Sequence, residues 1–311
     1  MEVSIYTWKR VKYIEERVEE LQREFPMVKI NIFEKGEKKD YRRSEYVVAV
    51  DMTSEELKSA EKLRGVFVPY TGLNEFPMEE IRGRGIEIEG SHAKAKYVAE
   101  KGFGLLLGIM GKVCEYDRDM RMGLWGPRSG IRNHWESLYG KKIGMLGTGN
   151  IGKEFMKIVS PFTGSFAALD RGKRYPGIET YHGSLKELAK DVDIIFMSLP
   201  LNETTEGMIG EEVLREFDGY IINVGRGRTI DEKALYEALK EGRLKGAGIE
   251  VWYDYPEKRG EKTMPSEYPY HELKNIVMSP HIATNNIEDR WVYFDDTFRK
   301  LRKVIAENIE G

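Results

Sequence analysis

Short apolar runs alternate with amphipathic stretches twice along this chain, and that alternation restricts its fold more than any other feature. Over about the first ninety residues, VSIYTW, VKINIF, YVVAVD, GVFVPY and IEIEG read as strands. Between them, YIEERVEELQREF and SEELKSAEKL carry apolar residues at helical spacing, the second from a good helix start. After the loop GLWGPRSGIRNHW the alternation resumes. KKIGMLG, GSFAALD, DVDIIFMSLP, GYIINVG, GAGIEVW and NIVMSPH read as strands, and NIGKEFMKIV, SLKELAK, EEVLREF and DEKALYEALKEG as helices. Strands separated by helices form parallel sheets covered by helices. The pattern therefore predicts an α/β protein with two doubly wound parallel sheets. One long helix is expected over AKYVAEKGFGLLLGIMGKVCEYDRDM, and another over the tail NIEDRWVYFDDTFRKLRKVIAENIEG. The GFGLLLG run follows no strand and has apolar residues between its glycines, so close helix packing is expected there.

The bulk properties agree. A chain of 311 residues suggests about two compact units. Charged residues make up 32% of it, yet the net charge is only −3 with both signs interspersed, which argues against a nucleic-acid partner. The single cysteine, Cys114, excludes an internal disulfide framework and a cysteine-rich zinc site, and it reads as a small core residue. No metal is expected. The N-terminal MEVSIYTWKR has no apolar signal core, and no window reaches the ~18 apolar residues of a membrane span. A cytoplasmic protein without a membrane partner is expected.

GTGNIG follows the apolar strand IGML and opens a helix, the context that gives a G-x-G-x-x-G match its meaning. Gly147 permits the tight turn, Gly149 lets backbone approach a pyrophosphate, and Gly152 lets the helix lie on the sheet. The first helical residues, Asn150 and Ile151, present free N–H groups to the anion. An acid is expected about 20 residues on, to accept ribose hydroxyls; Asp170 ends GSFAALD at that distance. NAD is therefore the expected cofactor. Arg171, Lys173 and Arg174 follow at once and leave NADP open, although a solvated basic loop is favoured. Pro200, ending DVDIIFMSLP, is a further candidate cofactor contact.

Dinucleotide binding names a cofactor and not a reaction. INVGRGR places Arg226 just past an apolar strand, where a guanidinium can fork onto a carboxylate or a ketone oxygen. Arg228 is its solvated competitor. NIVMSPHIA places His281 at another strand end, aimed by Pro280. His92, His134, His182 and His271 stand in loops or polar segments and read as surface or packing residues.

The motifs GTGNIG, LPLNETTEGMIG, INVGRGRTIDEKALYEALKEGRLKGAGIEV and SPHIA, in this order, resemble the D-isomer-specific 2-hydroxyacid dehydrogenases. The resemblance runs from about Gly65 to Ala283. It implies a Rossmann dinucleotide-binding domain over 93–283, inserted into a flavodoxin-like substrate domain of residues 1–92. The C-terminal helix of 284–311 would return to that substrate domain. It implies that Arg226 binds the substrate, that His281 is the acid–base group, and that the YTGLN loop holds the substrate carboxylate through backbone N–H groups. Thr71, Gly72, Leu73 and Asn74 are the candidate residues of that loop. It also implies a homodimer through the glycine-rich helix from Val98 and the arm through Trp125.

The stretch GIEVWYDYP departs from the family pattern. Glu250 stands where the family usually has an aspartate near the nicotinamide amide, which suggests a cofactor role. The glutamate that normally partners the histidine is replaced by Tyr255, with Asp254 one residue early. The chain is expected to transfer a hydride between a nicotinamide cofactor and a small 2-keto acid or D-2-hydroxy acid. The alternative is a catalytically weak nucleotide-binding or redox-sensing protein on the same scaffold.

Overall fold

The computed structural model describes residues 1–73, 75–126, 134–258, 260–285 and 291–310. The chain forms two compact units, Met1–Lys94 with Ile287–Gly311, and Ala95–Asn286.

In the first unit, β1 (Glu2–Thr7), β2 (Lys29–Glu34), β3 (Tyr46–Val48), β4 (Gly65–Val68) and β5 (Glu87–Gly90) form a parallel sheet. Its order, β2-β1-β3-β4-β5, is that of flavodoxin-like sheets. The helices α1 (Lys12–Glu24), α2 (Ser54–Ser59) and α3 (Met78–Gly83) connect the strands. α1 buries Ile14, Val18 and Leu21, one stripe at helical spacing. α2 starts on a capping box in which Thr53 and Glu56 satisfy each other's backbone N–H groups. The short α3 escaped the sequence reading, because a helix of six residues shows too little periodicity.

In the second unit, α4 (Ala95–Met110) and α5 (Val113–Arg121) precede β6 (Lys142–Leu146), the glycine loop and α6 (Asn150–Val159). There follow β7 (Ser165–Leu169), β8 (Thr180–His182), α7 (Leu185–Asp191), β9 (Ile194–Met197), α8 (Glu211–Leu214), β10 (Tyr220–Asn223), α9 (Glu232–Lys240), β11 (Gly246–Ile249) and β12 (Ile276–Met278). The sheet order β12-β11-β10-β9-β6-β7-β8 reverses direction at β6, which pairs with both β7 and β9. In open α/β sheets ligands bind at such a switch point, outside the carboxyl ends of the strands.

Both sheet faces of this unit are apolar. Ile195, Met197 and Ile221 pack beneath α7 and α9, while Ile194, Phe196 and Ile222 pack beneath α4 and α6. Phe155 of α6 stacks on Phe196 of β9 with ring centroids 3.6 Å apart. Gly102 of α4 lies so close to the sheet that a Cβ there would meet the Phe196 ring at 2.8 Å, whereas one on Gly104 would meet nothing. Close packing thus explains the first glycine of that run and not the second.

The last helix, α10 (Val292–Glu310), belongs to the first unit. Its Phe294, Phe298, Leu301 and Ile305 join Val3, Ile5, Ile14 and Leu21 in one buried cluster.

Three expectations need correction. The single helix expected over 95–120 is two helices, because Lys112 adopts a left-handed φ of 51° and breaks the ladder. Cys114 is exposed on α5 and takes no part in the core. His182 lies on the edge strand β8, where its Nε2 is 2.7 Å from an Asp191 carboxylate oxygen. Among the described residues no helix is long and apolar enough to cross a membrane, and no cluster of metal-ligating side chains is present.

Candidate active site

The glycine loop leaves β6 at the switch point, and each glycine has its own steric reason. Gly147 has φ 112°, and a Cβ on it would meet Ser198 Oγ at 2.6 Å. Ser198, just past β9, donates its hydroxyl to the Gly147 carbonyl at 3.1 Å and pins the turn. A Cβ on Gly152 would lie 2.1 Å from the Gly147 carbonyl oxygen, so α6 can begin here only on glycine. Gly149 is different: a Cβ would meet nothing within 4 Å. Its lack of a side chain leaves the space outside the loop open, the condition that close approach of a pyrophosphate would need. Asn150 and Ile151 are the first residues of α6, where helix N–H groups point outward at the positive end of the dipole.

Beside this loop is a cavity of about 500 Å³, lined among others by Thr148, Gly149, Leu169, Arg171, Pro200 and Met208. Asp170 ends β7 as expected, and Arg174 grips its carboxylate with two hydrogen bonds of 2.8 and 2.9 Å. Arg174, together with the Gly172 N–H, holds the Asp170 carboxyl at about 2, so it is ionised at neutral pH. Arg174 also lies over the Tyr181 ring, 4.2 Å from its centroid. Arg171 lines this cavity, and Arg171, Lys173 and Arg174 are all exposed, as a solvated basic loop would be.

The charged groups stand at the exits of β10, β11 and β12. Arg226 is half-buried and donates to the Gly225 carbonyl at 2.7 Å, whereas Arg228 is exposed. Glu250 is 1% exposed. One of its carboxylate oxygens accepts the Ala283 N–H at 2.5 Å, and the other is buried without a partner. A buried carboxylate oxygen without a donor is costly unless something else supplies one. A carboxamide N–H₂ group is such a donor, so Glu250 fits a nicotinamide.

His281 adopts a left-handed φ of 55°, an uncommon conformation for a residue other than glycine. His281 is exposed to solvent. The protein around it still lowers the imidazole pKa by desolvation, and the Arg226 guanidinium lowers it further; the Glu250 charge opposes both. The Tyr255 ring stands 5.5 Å from the His281 ring, centroid to centroid. The Tyr255 hydroxyl accepts the Trp252 N–H at 2.8 Å, and burial raises its pKa. Asp254 lines a different cavity, together with Arg228, Asp231 and Glu232. Tyr255, and not Asp254, is therefore the neighbour of His281.

Sequence reasoning missed three residues that shape this site. Asn223, buried at the end of β10, accepts the Gly225 N–H and donates to the Arg226 carbonyl, both at 3.0 Å. Trp252 donates its indole N–H to the Ser279 carbonyl at 2.8 Å and so anchors the approach to His281. Ser198 is the third. The one available signal was a polar residue closing an apolar strand, as Asn223 closes YIIN.

In the first unit, Tyr70 donates its hydroxyl to the Val50 carbonyl, and Thr71 donates to the Ser91 carbonyl at 2.9 Å. Gly72 and Leu73 continue the loop, with Leu73 packed on the core; Asn74 lies outside the described residues.

A family model for the D-isomer-specific 2-hydroxyacid dehydrogenase NAD-binding domain matches residues 103–283. The chain belongs to this family. A glyoxylate reductase from Korarchaeum cryptofilum is 30% identical over 82% of this chain and 75% of its own. A hydroxyphenylpyruvate reductase from Plectranthus scutellarioides is 31% identical over 72% of this chain and 69% of its own. Among solved structures, the NADPH-dependent glyoxylate/hydroxypyruvate reductase from Sinorhizobium meliloti in complex with citrate aligns with a TM-score of 0.72. Its identity is 25%, and 96% of this chain and 93% of that chain are covered. This 2-hydroxyacid dehydrogenase is accordingly a nicotinamide-dependent oxidoreductase.

The open space at Gly149 allows the cofactor loop to be tested without disturbing the fold. Gly149→Ala should melt at the wild-type temperature yet bind NADH about tenfold or more weakly, since an unaccommodated methyl costs roughly 1–3 kcal/mol. Fluorescence titration giving wild-type affinity would show that the loop does not hold the pyrophosphate.

Proposed function

We propose that this dehydrogenase reduces a small 2-keto acid to a D-2-hydroxy acid, with Arg226 holding the substrate and His281 supplying the proton. The observation that carries this reading is that Arg226, Glu250 and His281 stand at the exits of three neighbouring strands, β10, β11 and β12. When bound, the reduced nicotinamide supplies the hydride. Arg226 offers a planar cation that matches a carboxylate or a carbonyl oxygen. As charge grows on that oxygen, the guanidinium stabilises it and imidazolium His281 delivers a proton. Glu250 holds the segment after His281 through Ala283 and keeps one oxygen for the carboxamide.

The first unit is the proposed substrate domain, with the backbone N–H groups of Thr71, Gly72, Leu73 and Asn74 taking the substrate carboxylate. Relatives named as glyoxylate and hydroxyphenylpyruvate reductases support a keto-acid substrate and favour catalysis over redox sensing. NAD(H) is the proposed cofactor. The ionised Asp170 would repel a 2′-phosphate and accept the 2′-hydroxyl.

Tyr255 supplies no negative charge to stabilise imidazolium, so the pKa of His281 stays below the ordinary value of about 6.5. The acid form is the active one for reduction. Activity is therefore full below that lowered pKa and is lost as pH rises through it. The profile of kcat/KM against pH, recorded with NADH and with NADPH, should fall from below about 6.5 and favour NADH. Tyr255→Glu should move the alkaline limb upward, Asp254→Asn should leave it in place, and His281→Ala should cost about a hundredfold or more. Undiminished activity in His281→Ala would remove the mechanism, and a preference for NADPH would remove the role given to Asp170.

A homodimer is proposed through α4, α5 and the segment after them. Leu107, Val113, Met120, Met122, Leu124 and Trp125 are all large, apolar and exposed there, and monomers rarely leave so much apolar surface uncovered. Light scattering should give twice the chain mass at micromolar concentration, and Trp125→Asp should lower it. A wild-type monomer would contradict the interface.

A further inference from the structure

The carboxyl ends of β1, β3 and β4 in the first unit open into a cavity of about 760 Å³, walled by Trp8, Val50, Tyr70, Trp291 and Phe294. Small-molecule sites span roughly 300–1,000 Å³. A two-carbon keto acid would leave most of this one to water. Its walls are aromatic rings held in place before any ligand arrives. Trp8 lies just past β1, 51% exposed, and stacks on Tyr70 with centroids 5.8 Å apart and planes at 25°. Tyr70 cannot swing away, because its hydroxyl is bonded to the Val50 carbonyl. Trp291 stacks on Tyr13 at 4.8 Å, and Phe294 is buried in the core of the unit.

Charges of both signs line this cavity, Lys9 and Lys35 with Asp51 and Glu75, and none of them singles out a charged ligand. Lys39 already pairs with the Asp51 carboxylate at 2.5 Å. Lys39 itself is 9% exposed and also holds Glu56 at 2.9 Å, so the pair is a fixed structural element. A neutral ring finds stacking faces and an apolar floor, the conditions under which aromatic contacts contribute beyond their area.

Tyr70 belongs at once to this cavity and to the loop proposed to hold the substrate carboxylate. We propose that the cavity receives the side chain of an aryl-bearing 2-keto acid, and that Trp8 is the residue that selects it. This rests on the proposed role of the loop that begins at Tyr70. With the carboxylate on Thr71 to Leu73, the substituent beyond C3 is directed past Tyr70 onto the Trp8 face. An indole that is half exposed and stacked on Tyr70 thereby gains a function.

The test compares phenylpyruvate with glyoxylate at saturating NADH in wild-type, Trp8→Ala and Trp8→Phe enzymes, alongside calorimetric binding of phenylpyruvate. Wild-type enzyme should favour phenylpyruvate in kcat/KM. Trp8→Ala should cost phenylpyruvate about tenfold or more beyond its cost to glyoxylate, the scale of discrimination that lost apolar contacts produce. Trp8→Phe should recover much of that loss. A wild-type preference for glyoxylate, or equal losses for both acids, would overturn the proposal. Phenylpyruvate bound in a Trp8-dependent way but never reduced would uphold the cavity and overturn the reaction. An enzyme that reduces glyoxylate but does not bind phenylpyruvate would uphold the reaction and overturn the cavity.

Discussion

Asn223 ties together the exits of β10 and β11, the first through its side chain and the second through its backbone carbonyl. Parallel strands deliver their carboxyl ends to one edge of the sheet, but an exit is a loop, and a loop needs fixing. Asn223 fixes the first by accepting the Gly225 N–H and donating to the Arg226 carbonyl, so the guanidinium leaves the sheet in one direction. Its own carbonyl accepts the Glu250 N–H at 3.0 Å, which binds the β11 exit to the β10 exit. Glu250 in turn accepts the Ala283 N–H beyond His281. A chain of hydrogen bonds thus runs from Arg226 through Asn223 and Glu250 to the histidine turn. Glycine spacing tightens it, since a Cβ on Gly227 would lie 2.2 Å from the Trp252 carbonyl oxygen. Functional groups held by buried, satisfied polar contacts keep their geometry without help from substrate.

That arrangement decides the electrostatics. Arg226 brings a permanent positive charge near a histidine that already suffers partial burial, and both effects favour neutral imidazole. Glu250 is the counterweight, and its influence is the smallest of the three. A carboxylate beside the ring would tip the balance toward imidazolium; here an aromatic ring stands there instead. A substrate carboxylate or carbonyl on Arg226 would relieve part of the repulsion felt by His281. If Arg226 holds the substrate and His281 the proton, as proposed, substrate binding and proton donation are coupled through one guanidinium.

Much of the fold is legible in the sequence because it depends on local pattern. The apolar runs, the capping residues and the glycine loop before NIGKEFMKIV each announce themselves within a few positions. Asp170, Arg226 and His281 are legible for a related reason: each follows a recognisable strand within three residues. What escapes are features decided by contacts between distant segments. Lys112 breaks a helix that composition alone would continue, and Cys114 is turned outward as a result. The pairing of Asp170 with Arg174 depends on a side chain folding back across its own loop. The roles of Asn223 and Trp252 exist only once β10, β11 and β12 are adjacent. The stack of Trp8 on Tyr70 joins positions more than sixty residues apart, which no local pattern records.

The central claim is a hydride moved to C2 of a keto acid on one face, with the proton delivered by this protein. Reduction of phenylpyruvate with NADH deuterated at nicotinamide C4, followed by analysis of the product's label and chirality, tests it most directly. The account predicts a D-2-hydroxy acid carrying the label at C2. An L product, or a product without label from either deuterated face of the cofactor, would contradict it.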